Sequence, residues 1–440
     1  MWCRGAGRRG VRSEWFGETE QGPMTTLLAI AILLSPPSPA VGAGDRQSAP
    51  SVGSELSQAP SGEAGATALQ PFRVRLLDLG RDSAEAIPVD PHERDRARVQ
   101  EVVAMAALRL GDLRRTERCA REITTWRRGS VYGELAAAHA AKGDRPEAER
   151  FIRAAQELGP RVLDWQRDRI RVGVARAQAL LGEAERVREL EALVGDAERG
   201  KITATRAAKA TPEQFAAMIE DVRKATASGS LDATANALET CIGLAAALDA
   251  DEARWSEIDA VFGSVNGKIA REIYIGALLR LADVRLDDVE LVAGARDQAR
   301  ALVARATAVR DEVRWAPESE LPITASIARR IARLDGNDAG VAELERGLAS
   351  FKANEERVAN VFRAQALRPA AETMVDLGGR ERAVEIFRWA IEAGALNPNA
   401  RPRAEDLAQT CASLAVAGIE PDEAMWSRLG AIRAGLVDPW

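Results

Sequence analysis

Residues 132–160 read YGELAAAHAAKGDRPEAERFIRAAQELGP, and this stretch decides the fold. Leu135, Ala136, His139 and Ala140 recur at the i, i+1, i+4, i+5 spacing of one helical face, and Ala148, Phe151, Ile152 and Ala155 repeat that spacing further on. Between the two stripes, Gly143 can adopt the left-handed backbone that ends a helix, and Asp144 is an N-cap. Pro146 is tolerated in a first helical turn, and Glu147 sits three residues after the cap, as in a capping box. Pro160 stops the second helix. Ala136, Ala148 and Ala155 fall where the helices would touch, and close helix contact leaves no room there for a branched side chain. The stretch therefore predicts two antiparallel helices clasped around a Gly-Asp turn.

Weaker copies flank it. Leu367, Ala370, Ala371, Met374, Gly378, Ala383, Phe387 and Ala390 form a second good copy. Gln100, Val103, Ala104, Ala107 and Gly111 supply the first helix of another, with Thr116 where a small Ala is expected in its second. Near the end, Leu407, Cys411, Leu414 and Gly418 fit, followed by Ala424 one position late. Gly111, Gly143 and Gly182 are separated by 32 and 39 residues, and Gly378 and Gly418 by 40, so strict repetition is absent.

Tyr132, Leu135, Ala136, His139, Gly143, Ala148, Ile152, Ala155 and Pro160 occupy the offsets of the tetratricopeptide repeat, which this segment resembles. His139 and Ile152 depart from that family's usual aromatics. The resemblance implies an all-α fold, an α-solenoid of antiparallel helix hairpins in a TPR-like superhelix, with the first helix of each unit lining a concave face.

The amino terminus carries a different signal. Residues 27–34, LLAIAILL, form a short apolar core, and Val41 and Ala43 occupy the −3 and −1 places of a signal-peptidase site before Gly44. We read 1–43 as a signal peptide, with Met24 as an alternative start, and 44–70, rich in Ser, Pro, Gly and Ala, as a disordered linker. Residues 71–95 then form an N-terminal cap segment, 96–182 the first TPR-like repeats, 183–355 a degenerate helical middle and 356–440 the C-terminal repeats. This organisation implies an exported protein, periplasmic or extracellular, and the apolar run is too short to leave a transmembrane anchor.

Charge and composition narrow the function. Sixty basic against 66 acidic residues are interspersed along helix faces, which disfavours a nucleic-acid groove. The two histidines, His92 and His139, are far apart, and no Ser/His/Asp or Cys/His constellation can be assembled from them. Cys119, Cys241 and Cys411 lack CxxC spacing and lie among Ala, Ile and Leu, as buried core residues do. GSVNGK at 263–268 has too few residues between its glycines for a phosphate loop. DGNDAG at 335–340 starts like a calcium loop, but Ala339 offers no oxygen ligand and Arg346 stands in the place of the bidentate Glu. Six of the nine tryptophans, Trp126, Trp165, Trp255, Trp315, Trp389 and Trp426, mostly fall on apolar stripes. No cofactor or metal is expected.

The concave face remains as the candidate site. Arg98, Glu101 and Arg109 from one copy, and Gln365, Arg368, Glu372 and Asp376 from another, would face a bound peptide or protein. Arg368, Glu372 and Asp376 share a face at i, i+4, i+8, where a ladder of ion pairs is the competing use. Gly133, Ala137, Ala140 and Ala141 form a smooth apolar surface suited to an apolar side chain or another helix. Two functions follow. The first is a non-catalytic scaffold with an open groove for a protein or peptide partner. The alternative is a helical-toroid enzyme acting on a cell-envelope glycan through paired carboxylates, which requires a closed ring with a deep acidic cleft.

Overall fold

The computed structural model describes residues 69–195, 198–199, 201–202, 211–247, 252–287 and 292–440, all within one unit that begins at Ala64. The expected signal peptide and nearly all of the linker lie outside the described residues. Helices α1 (Pro71–Ala86), α2 (Val89–Arg109), α3 (Leu113–Glu122), α4 (Arg127–Ala141), α5 (Arg145–Leu158), α6 (Asp164–Leu180) and α7 (Ala184–Leu193) form the first part. Then come α8 (Pro212–Ser228), α9 (Leu231–Ala247), α10 (Glu252–Val265), α11 (Arg271–Asp287), α12 (Ala295–Asp311), α13 (Pro317–Asp335) and α14 (Asn337–Asn354). The last are α15 (Asn360–Asp376), α16 (Arg380–Ala395), α17 (Ala400–Ala417) and α18 (Glu423–Ala434). No strand occurs among the described residues. The molecule is an all-α array of hairpins.

The deciding stretch folds as its residues dictate. Gly143 ends α4 with φ +76°, a backbone strained for any residue carrying a Cβ, and the Asp144 side chain accepts from the Glu147 amide at 3.4 Å. Ala136, Ala148 and Ala155 are fully buried at the crossing. His139 stacks on Phe151, ring centroids 5.5 Å apart, and its Nδ1 lies 3.0 Å from Asp144 Oδ2. Thr116 is tolerated where Ala was expected because its Oγ1 donates to the Asp112 carbonyl at 2.9 Å, which satisfies a buried hydroxyl.

Successive hairpins stack so that α9, α11, α13, α15 and α17 form one row, each packed on the next, while α12, α14 and α16 cover α11, α13 and α15 from the other side. Helices α2, α4 and α6 continue this first row, covered by α3, α5 and α7. The smooth surface of α4 receives α6. Gly133 and Gly173 meet so closely that a Cβ on Gly133 would lie 3.0 Å from Gly173 Cα.

The first and the second-last described helices belong to one hairpin. Helix α17 is not covered chiefly by α18, the helix that follows it in sequence, but by α1. Gly80 is the point of closest approach, where a Cβ would stand 3.2 Å from the Ala408 carbonyl oxygen, a tight contact relieved by a shift of a few tenths of an ångström, and 3.5 Å from Cys411 Cβ. Around it, Leu76, Leu77 and Ala84 of α1 bury themselves against a face of α17 that includes Ala404, Leu407, Ala408 and Cys411. Burying a leucine fully is worth about 1.5–3 kcal/mol, so Leu76 and Leu77 alone favour docking by several kcal/mol. Helix α17 also packs on α2, which places α2 next in the row. One apolar core consequently runs from Leu321 to Leu436 and on through Leu76 to Ala177. A second core spans Phe215 to Leu334, and a small third one joins Ala175, Val187, Val194 and Ile202.

The segment 71–95 reads in the sequence as a cap on the first hairpin. Its helix α1 does pack on α2, but its other side is occupied by α17, so it is the outer helix of a hairpin whose inner helix lies more than 300 residues away. The described packing therefore runs from α8 to α18, across the junction, and on to α7. The array's two described ends flank residues 196–210, in mid-sequence.

Candidate binding surface

Every inner helix with described neighbours is tied to the next by arginine and carboxylate. Arg280 of α11 pairs with Glu239 of α9. From α13, Arg330 Nε reaches Asp283 Oδ1 of α11 at 3.0 Å, Arg333 reaches Asp287 at 2.6 Å, and Arg329 reaches Asp376 of α15 at 2.8 Å. Arg176 of α6 meets Glu134 of α4 at 2.8 Å, and Arg127 of α4 pairs with Glu101 of α2. Across the junction Arg98 Nη2 lies 2.8 Å from Glu405 Oε2, and Arg401 Nη1 lies 3.0 Å from Asp95 Oδ2. Pairs of this kind fix register between neighbouring helices, although each exposed one contributes at most about 1 kcal/mol.

Most of the anticipated groove residues are part of this framework. Arg98 spans the junction and Glu101 holds α4. Arg368 is 6 % exposed and therefore not on a rim; its Nη1 donates to Asp406 Oδ1 at 2.9 Å and its Nη2 to Gln409 Oε1 at 2.6 Å. Glu372 accepts from the Ser413 hydroxyl, and Asp376 meets Arg329. The i, i+4, i+8 face exists, but it is shared between α13 and α17: Arg368 is buried, Glu372 half-buried, and Asp376 stays exposed beside Arg329. Arg109, at the end of α2, and Gln365, on α15, are exposed. Of the smooth set, Gly133 and Ala137 are buried and Ala141 is exposed.

Burial shifts several of these acids. It pushes the Glu101 carboxyl upward against the opposing pull of Arg127, and the Asp406 carboxyl upward against Arg368. Glu405 is likewise raised by burial, with Arg98 pulling it down and Asp95 adding to the rise. Cys119, Cys241 and Cys411 are buried, and burial pushes the thiols of Cys119 and Cys241 up to about 12. Among the described residues no cluster of three or more His, Cys, Asp or Glu has the arrangement of a metal site. Asp335, from the calcium-like stretch, instead pairs with Arg300 at 2.9 Å. A recess between α16, α17 and α18, lined by Ile391, Arg403, Asp406 and Ile432 among others, has room for about one water molecule.

The tryptophans divide. Trp255 is buried beneath the Arg285 guanidinium, 3.5 Å from the ring centroid, and Trp389 donates its indole N–H to Glu355 Oε1 at 2.8 Å. Trp165 is instead 50 % exposed at the start of α6, edge-on to Trp126 with centroids 5.3 Å apart and with Arg169 against both rings. It sits off the apolar stripe of its helix, a position that periodicity alone distinguishes from the core tryptophans.

No helix among the described residues is long and apolar enough to cross a membrane. No protein-family model matches the sequence, and no curated protein matches it. A search of solved structures gives a circular tandem repeat protein, described as having a novel repeat topology and enhanced subunit contact surfaces. It is 14 % identical over 83 % of this chain and 95 % of its own, with a TM-score of 0.22, and at that score the likeness adds nothing to the packing described above.

Proposed function

We propose that the chain is an exported, non-catalytic scaffold of TPR-like hairpins that holds a protein or peptide partner. The observation that supports this reading most is the inner row itself. Its charged side chains are spent on neighbouring helices, as Arg368 is on Asp406 and Arg98 on Glu405, and what they leave is a long, stiff helical surface. Partner contacts would fall on exposed positions such as Arg109 and Gln365, where charge reversal leaves the frame intact. The direct test is capture of partners from envelope extract by the wild-type chain and by Arg109→Glu and Gln365→Arg variants. Loss of a partner in either variant supports the groove; an unchanged set of partners in both removes it. Mature protein beginning elsewhere than near Gly44 would overturn the export.

The joining of the chain ends favours one element of the second reading, because a helical toroid also unites its first and last helices. Glu101 and Glu405 would be its candidate acids. Each is held by arginine, Glu101 by Arg127 and Glu405 by Arg98 and Arg401. Turnover of a cell-envelope glycan that disappears in Glu405→Gln would establish the enzyme and displace the scaffold.

A further inference from the structure

Ten large apolar side chains stand exposed among the described residues, and eight of them lie on one edge of the array. That edge is where the inner helices begin. Val89 opens α2, Leu163 and Trp165 open α6, Leu231 opens α9, and Val361 and Phe362 open α15. Leu396 is brought beside this last pair by Asn360, whose Nδ2 donates to the Leu396 carbonyl at 3.2 Å. Val437 arrives there because the Ala400 amide at the start of α17 donates to the Pro439 carbonyl at 2.8 Å. Five of the eight open the inner helices α15, α2 and α6, and Leu396 after α16 and Val437 after α18 lie beside the starts of α15 and α17, so that seven fall along an arc that includes the junction.

The opposite edge, where the inner helices end, is different. There Gly111, Asp112, Gly143, Asp144, Gly182, Glu183, Gly378 and Gly379 make the turns, and Leu180 is the exposed large apolar side chain. Two edges of one array with such unequal polarity are not explained by packing, since both are loops joining the same helices. A row of exposed apolar groups of this kind marks an interaction surface.

The charges among these apolar groups indicate what covers them. Glu93 and Arg94 flank Val89, Arg161 and Asp164 flank Leu163, and Glu356 and Arg357 precede Val361, all six exposed. An acid and a base thus accompany Val89, Leu163 and Val361, and Asp90 and Asp438 add two further negatives. A surface patterned in this way has no excess of positive charge to draw it to an anionic bilayer, yet it can match its own copy, acid against base, around a two-fold axis. We propose that this edge is the contact between two copies of the chain, which pack edge to edge across the arc from α15 to α6. The proposal goes beyond the scaffold reading and does not depend on it.

Sedimentation velocity on the full chain tests it, with Leu163→Glu and Phe362→Glu on the edge and Leu180→Glu on the opposite edge. Leu163 is 62 % exposed and Leu180 is 51 % exposed, so none of these changes disturbs a core, and circular dichroism confirms that each variant folds. The expected result is a particle of twice the chain mass, whose dissociation constant rises at least about tenfold in each edge variant and is unchanged in Leu180→Glu. A monomer persisting at about 100 μM overturns the proposal. So does a dimer indifferent to both edge variants, or one as sensitive to Leu180→Glu. Flotation of a monomer with phosphatidylcholine–phosphatidylglycerol vesicles, abolished by Phe362→Glu, would also overturn it and assign the edge to lipid.

Discussion

Arg98 of α2 donates from Nη2 to Glu405 Oε2 of α17 at 2.8 Å, across 307 residues of chain. Arg401 answers in the other direction, reaching Asp95 at 3.0 Å. This reciprocal pair sits on the apolar seam between α17 and α2, beside the one between α17 and α1, so the first and last repeats are neighbours in space. A helical array that ends in the ordinary way needs a polar cap at each terminus. Here α1 and α17 cover each other, and the described ends of the array lie instead at α7 and α8.

The buried pair inside α15 and α17 should dominate local stability. Arg368 and Asp406 are each less than a tenth exposed, and Asn397 Nδ2 adds a hydrogen bond to Asp406 Oδ2 at 3.0 Å. Asp406→Ala leaves a buried guanidinium without its counter-charge and is expected to cost about 3–5 kcal/mol. Asp376→Ala, which releases only the exposed partner of Arg329, is expected to cost less than about 1 kcal/mol. Urea denaturation midpoints of the two variants check the contrast. Equal losses would mean that Arg368 is not desolvated.

The crossing of α4 and α6 depends on two glycines. A Cβ on Gly133 meets Gly173 backbone at 3.0 Å, and one on Gly173 meets Gly133 Cα at 3.1 Å. Gly133→Leu should separate the helices and destabilise the fold by about 1–3 kcal/mol, the usual penalty of overpacking. Leu at Gly276, where no heavy atom lies within 4 Å of a built Cβ, should be milder. Thermal unfolding of both variants gives the comparison.

A carboxyl pair makes the outer contact of α1 sensitive to pH. Glu122, at the end of α3, is pushed up to about 7, chiefly by burial and then by its hydrogen bond to Glu85 of α1, with Arg81 and Arg118 opposing the rise. Because the folded-state value lies above the ordinary carboxyl value of 4.5, the bound proton favours the fold. Its contribution is fully present below about pH 4.5 and lost as the pH rises through about 7. Tm should therefore fall between about pH 5 and about pH 8 by more in the wild type than in Glu122→Gln. Parallel profiles would show that this carboxyl is ionised throughout.

The hairpins were legible because their signals are local. Gly143 and Gly378 take φ of +76° and +84°, and the alanines beside them are buried. Cys119, Cys241 and Cys411 lie in the core for the same reason, among small apolar neighbours in their own helices. The site was less legible. Periodicity put Arg368, Glu372 and Asp376 on one face but could not say that α13 and α17 crowd that face, since this depends on helices 35 to 50 residues away in sequence. The junction left a trace. Ala424 falls one position late for the second helix of the last repeat, and α18 accordingly does not take that role. The apolar PFRVRLLDLG segment, upstream of any complete repeat, supplies the missing helix, with Gly80 as its point of closest approach. Pairing a helix near residue 80 with one near residue 410 requires the fold itself.

The union of the two chain ends is tested most directly by a disulfide. A Cβ built on Gly80 lies 3.5 Å from Cys411 Cβ, within the range of about 3.5–4.5 Å that a disulfide spans. Gly80→Cys, with the other cysteines replaced by alanine, should on mild oxidation give a monomeric intrachain product joining 80 to 411, recognised by peptide mass and faster migration without reductant. A chain that stays fully reduced under oxidant, or that forms disulfides only between molecules, would contradict the pairing of α1 with α17.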